Sequence, residues 1–196
     1  MQSLKSILKD GEGGIYEARP KSIHLSLPQD FDARKILWNS LCYFLKEKQD
    51  VTAQWVAEYE EIASWLQDNA GKGLFLYGTC GRGKTVLAKW VIPALLLYYH
   101  RKVCNIVDAV DLQDRINEIR NKRFVIVDDL GCEPISQFKT LAFGELIDSV
   151  EKQGSILIVT TNLNAEELIE RYGDRVMDRI KATTKAICFQ GDSMRS

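Results

Sequence analysis

At 196 residues the chain has the length of one globular domain with room for a small appendage. Hydrophobic content of 45% and charged content of 27% belong to an ordinary folded protein, and a domain this long buries about 70% of its unfolded surface, so it needs no metal or disulfide staple. A net charge of −1 excludes the broad basic excess of a stand-alone nucleic-acid binder and leaves such contacts to a local patch or an assembly.

The five cysteines (Cys42, Cys80, Cys104, Cys132, Cys188) are scattered and never spaced as C-x-x-C. Neither a zinc site nor a disulfide framework is expected, and a reducing cytoplasm is the fitting compartment. Residues 1–10 lack the apolar core of a signal peptide. The apolar run Trp90–Tyr99 contains Pro93 and has about half the length needed to span a bilayer, so no membrane partner is expected.

In chain order, residues 1–28 hold Gly11, Gly13, Gly14, Pro20 and Pro28 with little periodicity and read as a loose lead-in. Phe31, Ile36, Leu37, Leu41, Phe44 and Leu45 predict a helix over 30–48. Trp55, Tyr59, Ile62 and Leu66 form a second helical stripe that ends before Gly71. From Leu74 strand-sized apolar runs (Leu74–Tyr77, Val103–Val107, Phe124–Val127, Ile156–Val159, Ala186–Phe189) alternate with longer segments. That rhythm predicts an α/β domain with a mostly parallel sheet covered on both faces. Pro93 should end or kink the helix after the first of these strands. Asn164-Ala-Glu-Glu167 is a capping box opening a helix to about Tyr172. The expected division is an extension over 1–54, partly helical, and an ATPase domain over 55–196.

Gly78-Thr79-Cys80-Gly81-Arg82-Gly83-Lys84-Thr85 fits G-x-x-x-x-G-K-[ST] between a strand-like and a helix-like run. Glycines let successive backbone N–H groups turn inward on phosphate oxygens, and the helix adds its positive end. Lys84 is expected on the β- and γ-phosphates of ATP, and the Thr85 hydroxyl on Mg²⁺. The glycines do not give G-x-G-x-x-G, so a dinucleotide site competes poorly. Phe124-Val-Ile-Val-Asp128-Asp129 places two carboxylates at the end of a wholly apolar strand, where an acid expects a cation. Asp128 is the second Mg²⁺ residue, and Asp129 the group that orients or deprotonates the attacking water. The plainer alternative is a turn, since Asp and Gly favour turns.

Ser155-Ile-Leu-Ile-Val-Thr-Thr-Asn162 becomes polar at its end. If this strand lies beside the phosphate-loop strand, Asn162 can reach the attacking water or the γ-phosphate; otherwise it is a turn residue. Arg175 and Arg179 share a helix face in Arg171–Arg179. Solvated pairing with Asp174 and Asp178 is the ordinary reading of that face; an arginine reaching a neighbouring subunit's γ-phosphate is the sharper one. Cys80, His24, His100 and the basic pairs Arg101-Lys102 and Lys122-Arg123 carry no signal above that of ordinary loop or surface residues.

Taken together, Gly78–Thr85, Phe124–Gly131, Thr160–Asn162, the segment Gly173-Asp-Arg-Val-Met-Asp-Arg-Ile180 and the closing Phe189-Gln-Gly-Asp-Ser-Met-Arg195 resemble the AAA+ ATPases. The resemblance is to helicase loaders of the DnaC type and the related IstB-type transposition helpers, over about residues 55–196. It implies a three-layer P-loop fold with sheet order 5-1-4-3-2 and no helical lid after the last strand. It also implies Asn162 as sensor 1 and Arg179 as arginine finger, with Arg175 the lesser candidate, and Arg195 near nucleotide or an interface. The implied partners are further copies of the chain when ATP is bound, a replicative helicase, and single-stranded DNA. The alternatives are ATP-dependent targeting of a transposase and, more remotely, a small-molecule kinase, which would leave Asn162 and Arg179 unexplained. Asp129 stands where many AAA+ proteins have Glu, and the segment from Asp108 to Phe124 is short for the family.

Overall fold

The computed structural model describes residues 21–49, 52–133 and 141–194. The Gly11, Gly13, Gly14 and Pro20 part of the expected lead-in, and Arg195, lie outside the described residues. Helix α1 (Ala33–Gln49) and α2 (Glu58–Gln67) precede β1 (Gly73–Gly78). The phosphate-loop helix then runs as α3 (Lys84–Val86), a π turn (Leu87–Val91) and α4 (Ile92–His100). There follow β2 (Asn105–Asp108), α5 (Leu112–Ile119), β3 (Phe124–Leu130), α6 (Leu141–Gln153), β4 (Ile156–Thr161), α7 (Ala165–Tyr172), α8 (Asp174–Thr183) and β5 (Thr184–Phe189).

The five strands are all parallel in the order β2-β3-β4-β1-β5, the arrangement implied by the resemblance. Alternate residues serve opposite faces, as a strand period of two requires. Leu74, Leu76, Ile126, Ile158 and Ile187 pack with α1, α2 and the phosphate-loop helix. Phe75, Val125, Val127, Leu157 and Val159 pack with α5, α6, α7 and α8. Strands covered on both faces need apolar side chains throughout, which is why β3 and β4 show no polar residue until their ends.

Three details refine or correct the expectations. The helix does not end at Pro93: the Ile92 N–H donates to Leu87 O, a five-residue step, and helix continues to His100. The wider turn places the residue without an N–H just after the irregular step, where a regular ladder would set its ring against a carbonyl. Residues 23–27 are pinned rather than loose. The buried Asn69 accepts from Leu25 N at 2.8 Å and donates to Ile23 O at 3.0 Å, while Leu25 and Leu27 enter the core. Finally, β3 continues through both aspartates to Leu130, with a register shift between Val127 and Leu130 and Asp129 at φ +55°. A bulge, not a simple turn, presents the two acids.

Helix α1 starts where Asp32 Oδ1 accepts from Lys35 N at 3.1 Å, and α7 opens with both bonds of the capping box between Asn164 and Glu167. Leu37 and Leu41 are wholly buried in the same cluster as β1 and β4. No helix among the described residues is long and apolar enough to cross a membrane. Because α1 shares this core, Leu41→Ala is expected to cost about 3 kcal/mol and lower Tm by about 6–12 °C within a single transition. Calorimetry showing a separate low-temperature transition, with the main one unmoved, would mean that α1 folds apart from the sheet.

Candidate nucleotide site

β1 lies between β4 and β5, with Leu76 opposite Thr160 and Gly78 opposite Phe189. The loop therefore leaves β1 flanked by the ends of both neighbours. Gly78 has φ +108°, and a Cβ there would fall 2.3 Å from Phe189 O. Gly81, at φ +77°, would set a Cβ 2.1 Å from Ser193 Oγ. Both positions demand glycine by conformation and by space. The two glycines let the loop pack directly against the segment that follows β5 while its backbone curls as a phosphate-binding turn does.

Lys84 is buried, and its ammonium donates to Gly78 O (2.8 Å), Thr79 O (2.7 Å) and Asn162 Oδ1 (2.9 Å). One side chain thus spans the ends of β1 and β4. Asp128, only 1% exposed, accepts from the Thr160 hydroxyl at 2.5 Å on Oδ1 and faces Lys89 Nζ at 3.3 Å on Oδ2. The same Thr160 oxygen accepts the Asp129 N–H at 2.9 Å, which fixes the bulge. Burial first, then the Asp128 charge, pushes the Asp129 carboxyl above its ordinary range; Lys89 and Lys84 oppose the shift. Burial pulls Lys89 down, but its bond to Asp108 and the charge of Asp128 outweigh that and raise it.

Lys89 and Asp108 escaped the sequence reading. Lys89 is four residues past Thr85, one helical turn on the same face, and pairs with Asp108 as well as Asp128. Asp108 closes an apolar run as Asp128 does and is registered directly opposite it. The rule that flagged Asp128 would have flagged Asp108 too.

The loop is also held from outside. Arg82 meets Glu58 at 3.3 Å and Asp192 O at 3.3 Å; Glu58 also accepts Gln190 N at 2.9 Å. Burial pushes the Glu58 carboxyl up, but backbone N–H donors and Arg82 more than reverse this and hold it below the usual range. Met194 N donates to Gly81 O at 3.0 Å. Beside this clasp lies a cleft of about 540 Å³ lined by residues including Val56, Glu61, Arg82 and Gln190. Beyond β3, Glu133 accepts from Gly131 N at 2.8 Å and is gripped by Arg171 and the Tyr172 hydroxyl, which ties the strand end to α7.

Gly78–Thr85, Asp128, Asp129 and Asn162 therefore meet at the carboxyl rim of β1, β3 and β4. Thr85 stands half-buried on the first turn of α3, and Cys80 is exposed. The two arginines are elsewhere. Arg179 binds Asp148 at 2.8 Å and Glu151 at 3.0 Å on α6, and Arg175 approaches Asp148 at 3.4 Å with its side chain 77% exposed. Among the described residues, neither has a hydrogen bond or ion pair to the phosphate loop.

Among the described residues no group of three His, Cys, Asp or Glu side chains is placed to hold an ion. Mg²⁺ does not need such a cage: it takes one or two protein oxygens and completes its shell with phosphate and water. Thr85 and Asp128 beside a phosphate cradle fit that pattern.

The profile of the IstB-like ATP binding protein family matches residues 42–196. The replicative helicase loader DnaC of Escherichia coli (strain K12) is 25% identical over 152 residues, covering 73% of this chain and 61% of that protein. The replicative helicase loader DnaI of Bacillus subtilis (strain 168) is 22% identical over 158 residues, covering 68% of this chain and 51% of that protein. The chain thus spans between about half and three fifths of the length of these curated relatives. Among solved structures, the DnaC helicase loader matches with TM-score 0.61 at 19% identity, over 80% of this chain and 99% of that one. DnaI matches with TM-score 0.54, also at 19% identity, over 87% and 90%. These likenesses show a shared P-loop AAA+ fold.

Asn tolerates a positive φ as well as Asp does, so Asp129→Asn removes a charge beside Asp128 without straining the bulge. Relief of such a like-charge contact is worth about 0.5 kcal/mol, or about 1–2 °C in Tm. Because the folded state raises the Asp129 pKa, its ionised form is the destabilising one. The gain over wild type is expected at pH 7 and should vanish as pH falls through the raised pKa towards the unfolded value. Scanning calorimetry from pH 7 to 4 checks this; a lower Tm for Asp129→Asn at pH 7 would mean that Lys84 and Lys89 make the charge stabilising.

Proposed function

The chain belongs to the IstB-like ATP binding protein family, and from that premise we propose that it is an Mg²⁺-dependent AAA+ ATPase that loads or remodels a replicative helicase on single-stranded DNA. The observation that carries the ATPase part is the convergence of Lys84, Asn162, Asp128 and Asp129 at one rim, with Lys84 bonded to both the loop and Asn162.

In this reading the backbone of Gly78–Thr85 wraps the triphosphate, and Lys84 exchanges carbonyl partners for β- and γ-phosphate oxygens. Thr85 and Asp128 would hold the metal, which would supply neutralisation of charge on the phosphate oxygens. Asp129 orients or deprotonates the attacking water, its raised pKa suiting it to accept a proton. Asn162 hydrogen-bonds that water or the γ-phosphate. A finger at Arg179, with Arg175 the lesser candidate, would act across a subunit boundary, because α8 packs on α6 of its own chain. The same reading includes assembly of further copies of the chain when ATP is bound.

The helicase part rests on the loaders among the relatives, and the single-stranded DNA part on the resemblance to that family; a net charge of −1 leaves any such contact to a local patch or an assembled surface. A second reading, ATP-dependent targeting of a transposase, is favoured by the family profile itself. The two separate by mixing the protein with a nonhydrolysable ATP analogue, single- or double-stranded DNA, and the host helicase. Helicase capture with single-strand preference supports loading; duplex-bound filaments without helicase support targeting.

Lys84→Ala is expected to weaken ATP binding by about 100-fold or more, an effect of losing a charge-assisted phosphate contact in a partly buried site. Arg179→Ala should lower hydrolysis by about 10³-fold while ATP affinity stays within about threefold. Mixing the two inactive proteins should restore part of the hydrolysis, since a Lys84→Ala subunit still supplies Arg179 to its neighbour. Unchanged ATP affinity in Lys84→Ala overturns the nucleotide site; unchanged hydrolysis in Arg179→Ala removes the finger from that residue.

A further inference from the structure

We infer that Lys89 is a built-in cation that competes with the divalent ion for Asp128, so that the metal adds less to nucleotide binding here than the buried carboxylate alone would allow. The inference rests on Asp128 being the metal residue, as proposed above.

Asp128 is almost fully buried, and a buried carboxylate needs compensation. Its two oxygens are already divided. The neutral Thr160 hydroxyl takes Oδ1, and the Lys89 ammonium stands 3.3 Å from Oδ2. Lys89 projects from the same helical face as Thr85, one turn further on, so a metal between Thr85 and Asp128 would lie close to a like charge. The position is not an accident of one rotamer. Asp108 stands opposite Asp128 in register and binds the same ammonium, anchoring Lys89 between the two strand ends. A second anchor also gives the ammonium a partner when it yields Asp128 to a metal. The consequence is that the protein holds its acid pair without a divalent ion and relies on the phosphates to bring one.

The test is the affinity of a fluorescent nonhydrolysable ATP analogue, measured in Mn²⁺ and in EDTA, for wild type and for Lys89→Met, Lys89→Gln and Lys89→Arg. The metal-dependent gain in affinity is expected to be about tenfold larger in the two neutral variants than in wild type. This estimate discounts a nearby like charge for its partial exposure. Lys89→Arg, which keeps the charge, should show the wild-type gain within about twofold. Melting in EDTA supplies a second readout. Both neutral variants should lose Tm relative to wild type, because Asp128 is left without its cation, and Mn²⁺ with the analogue should recover more of that loss than it adds to wild type. A gain equal to or smaller than that of wild type in the neutral variants overturns the inference and leaves the ATPase reading standing. Analogue binding without any metal-dependent gain in all four proteins overturns the metal assignment of Asp128 itself. No analogue binding at all overturns the nucleotide site.

Discussion

A parallel sheet sealed by helices on both faces can place charged groups only at the ends of its strands. Every contact at the candidate site follows from that constraint. Asp128 is 1% exposed at the end of a strand whose four preceding residues are buried and apolar. It is tolerable there because β4 supplies the Thr160 hydroxyl and the phosphate-loop helix supplies Lys89, which Asp108 at the end of β2 helps to hold. The strand register sets all of these meetings. A slip by one residue would turn Thr160 to the other face and mismatch the side chains packed on both layers of helices, so the packing that stabilises the sheet also fixes the position of the acids.

The phosphate loop depends on a wider set of residues than its motif. Arg82, a variable position of the pattern, reaches Glu58 at the start of α2 and the backbone of Asp192 after β5. Glu58 returns a bond to Gln190, and Met194 bonds Gly81. Segments on either side of the core in sequence thus converge on a loop of eight residues. Gly81 shows how close the approach is, since any side chain there would meet Ser193. The shape of the loop is therefore coupled to the positions of α2 and of the segment after β5, and strain in either reaches the phosphate cradle.

Much of the fold was legible because its signals are local. The five strand runs, the phosphate loop between a strand and a helix, the capping box at Asn164 and the acids ending β3 all depend on residues a few positions apart. What escaped depends on residues that only the sheet order brings together. Lys89 looks like an ordinary surface charge, and Asp108, which ends an apolar run as Asp128 does, has no visible partner until β2 is placed beside β3 and the helix above them. Asn69 fits no sequence motif, and only the fold shows that its amide holds residues 23–25. The π turn before Pro93 was unreadable for another reason: a proline announces that the ladder must change, but not whether the chain will bend, stop or widen. Arg171 looked like part of an arginine-rich face, yet it is committed to Glu133.

The arginines of α8 show how far topology constrains what remains. α8 descends from the end of α7 and delivers the chain to Thr184, the first residue of β5, which runs parallel to β1. Its last turn thus lies towards the amino end of the sheet, the side opposite the phosphate loop. Arg175 lies about 6 Å from Arg179 along the helix axis, on the side of α7, from four residues at 1.5 Å each. Arg179 shares Asp148 and Glu151, whereas Arg175 has only a long contact to Asp148 and is mostly exposed. A finger at Arg179 would have to leave two carboxylates; one at Arg175 would leave almost nothing. Partly exposed ion pairs are weak, on the order of 1 kcal/mol or less each, so either exchange is small beside the gain from a guanidinium on a transferring phosphate. The intrachain pairs therefore do not decide between the two arginines. What favours Arg179 is the resemblance of the segment Gly173–Ile180 to the AAA+ ATPases, by which Arg179 takes the finger position.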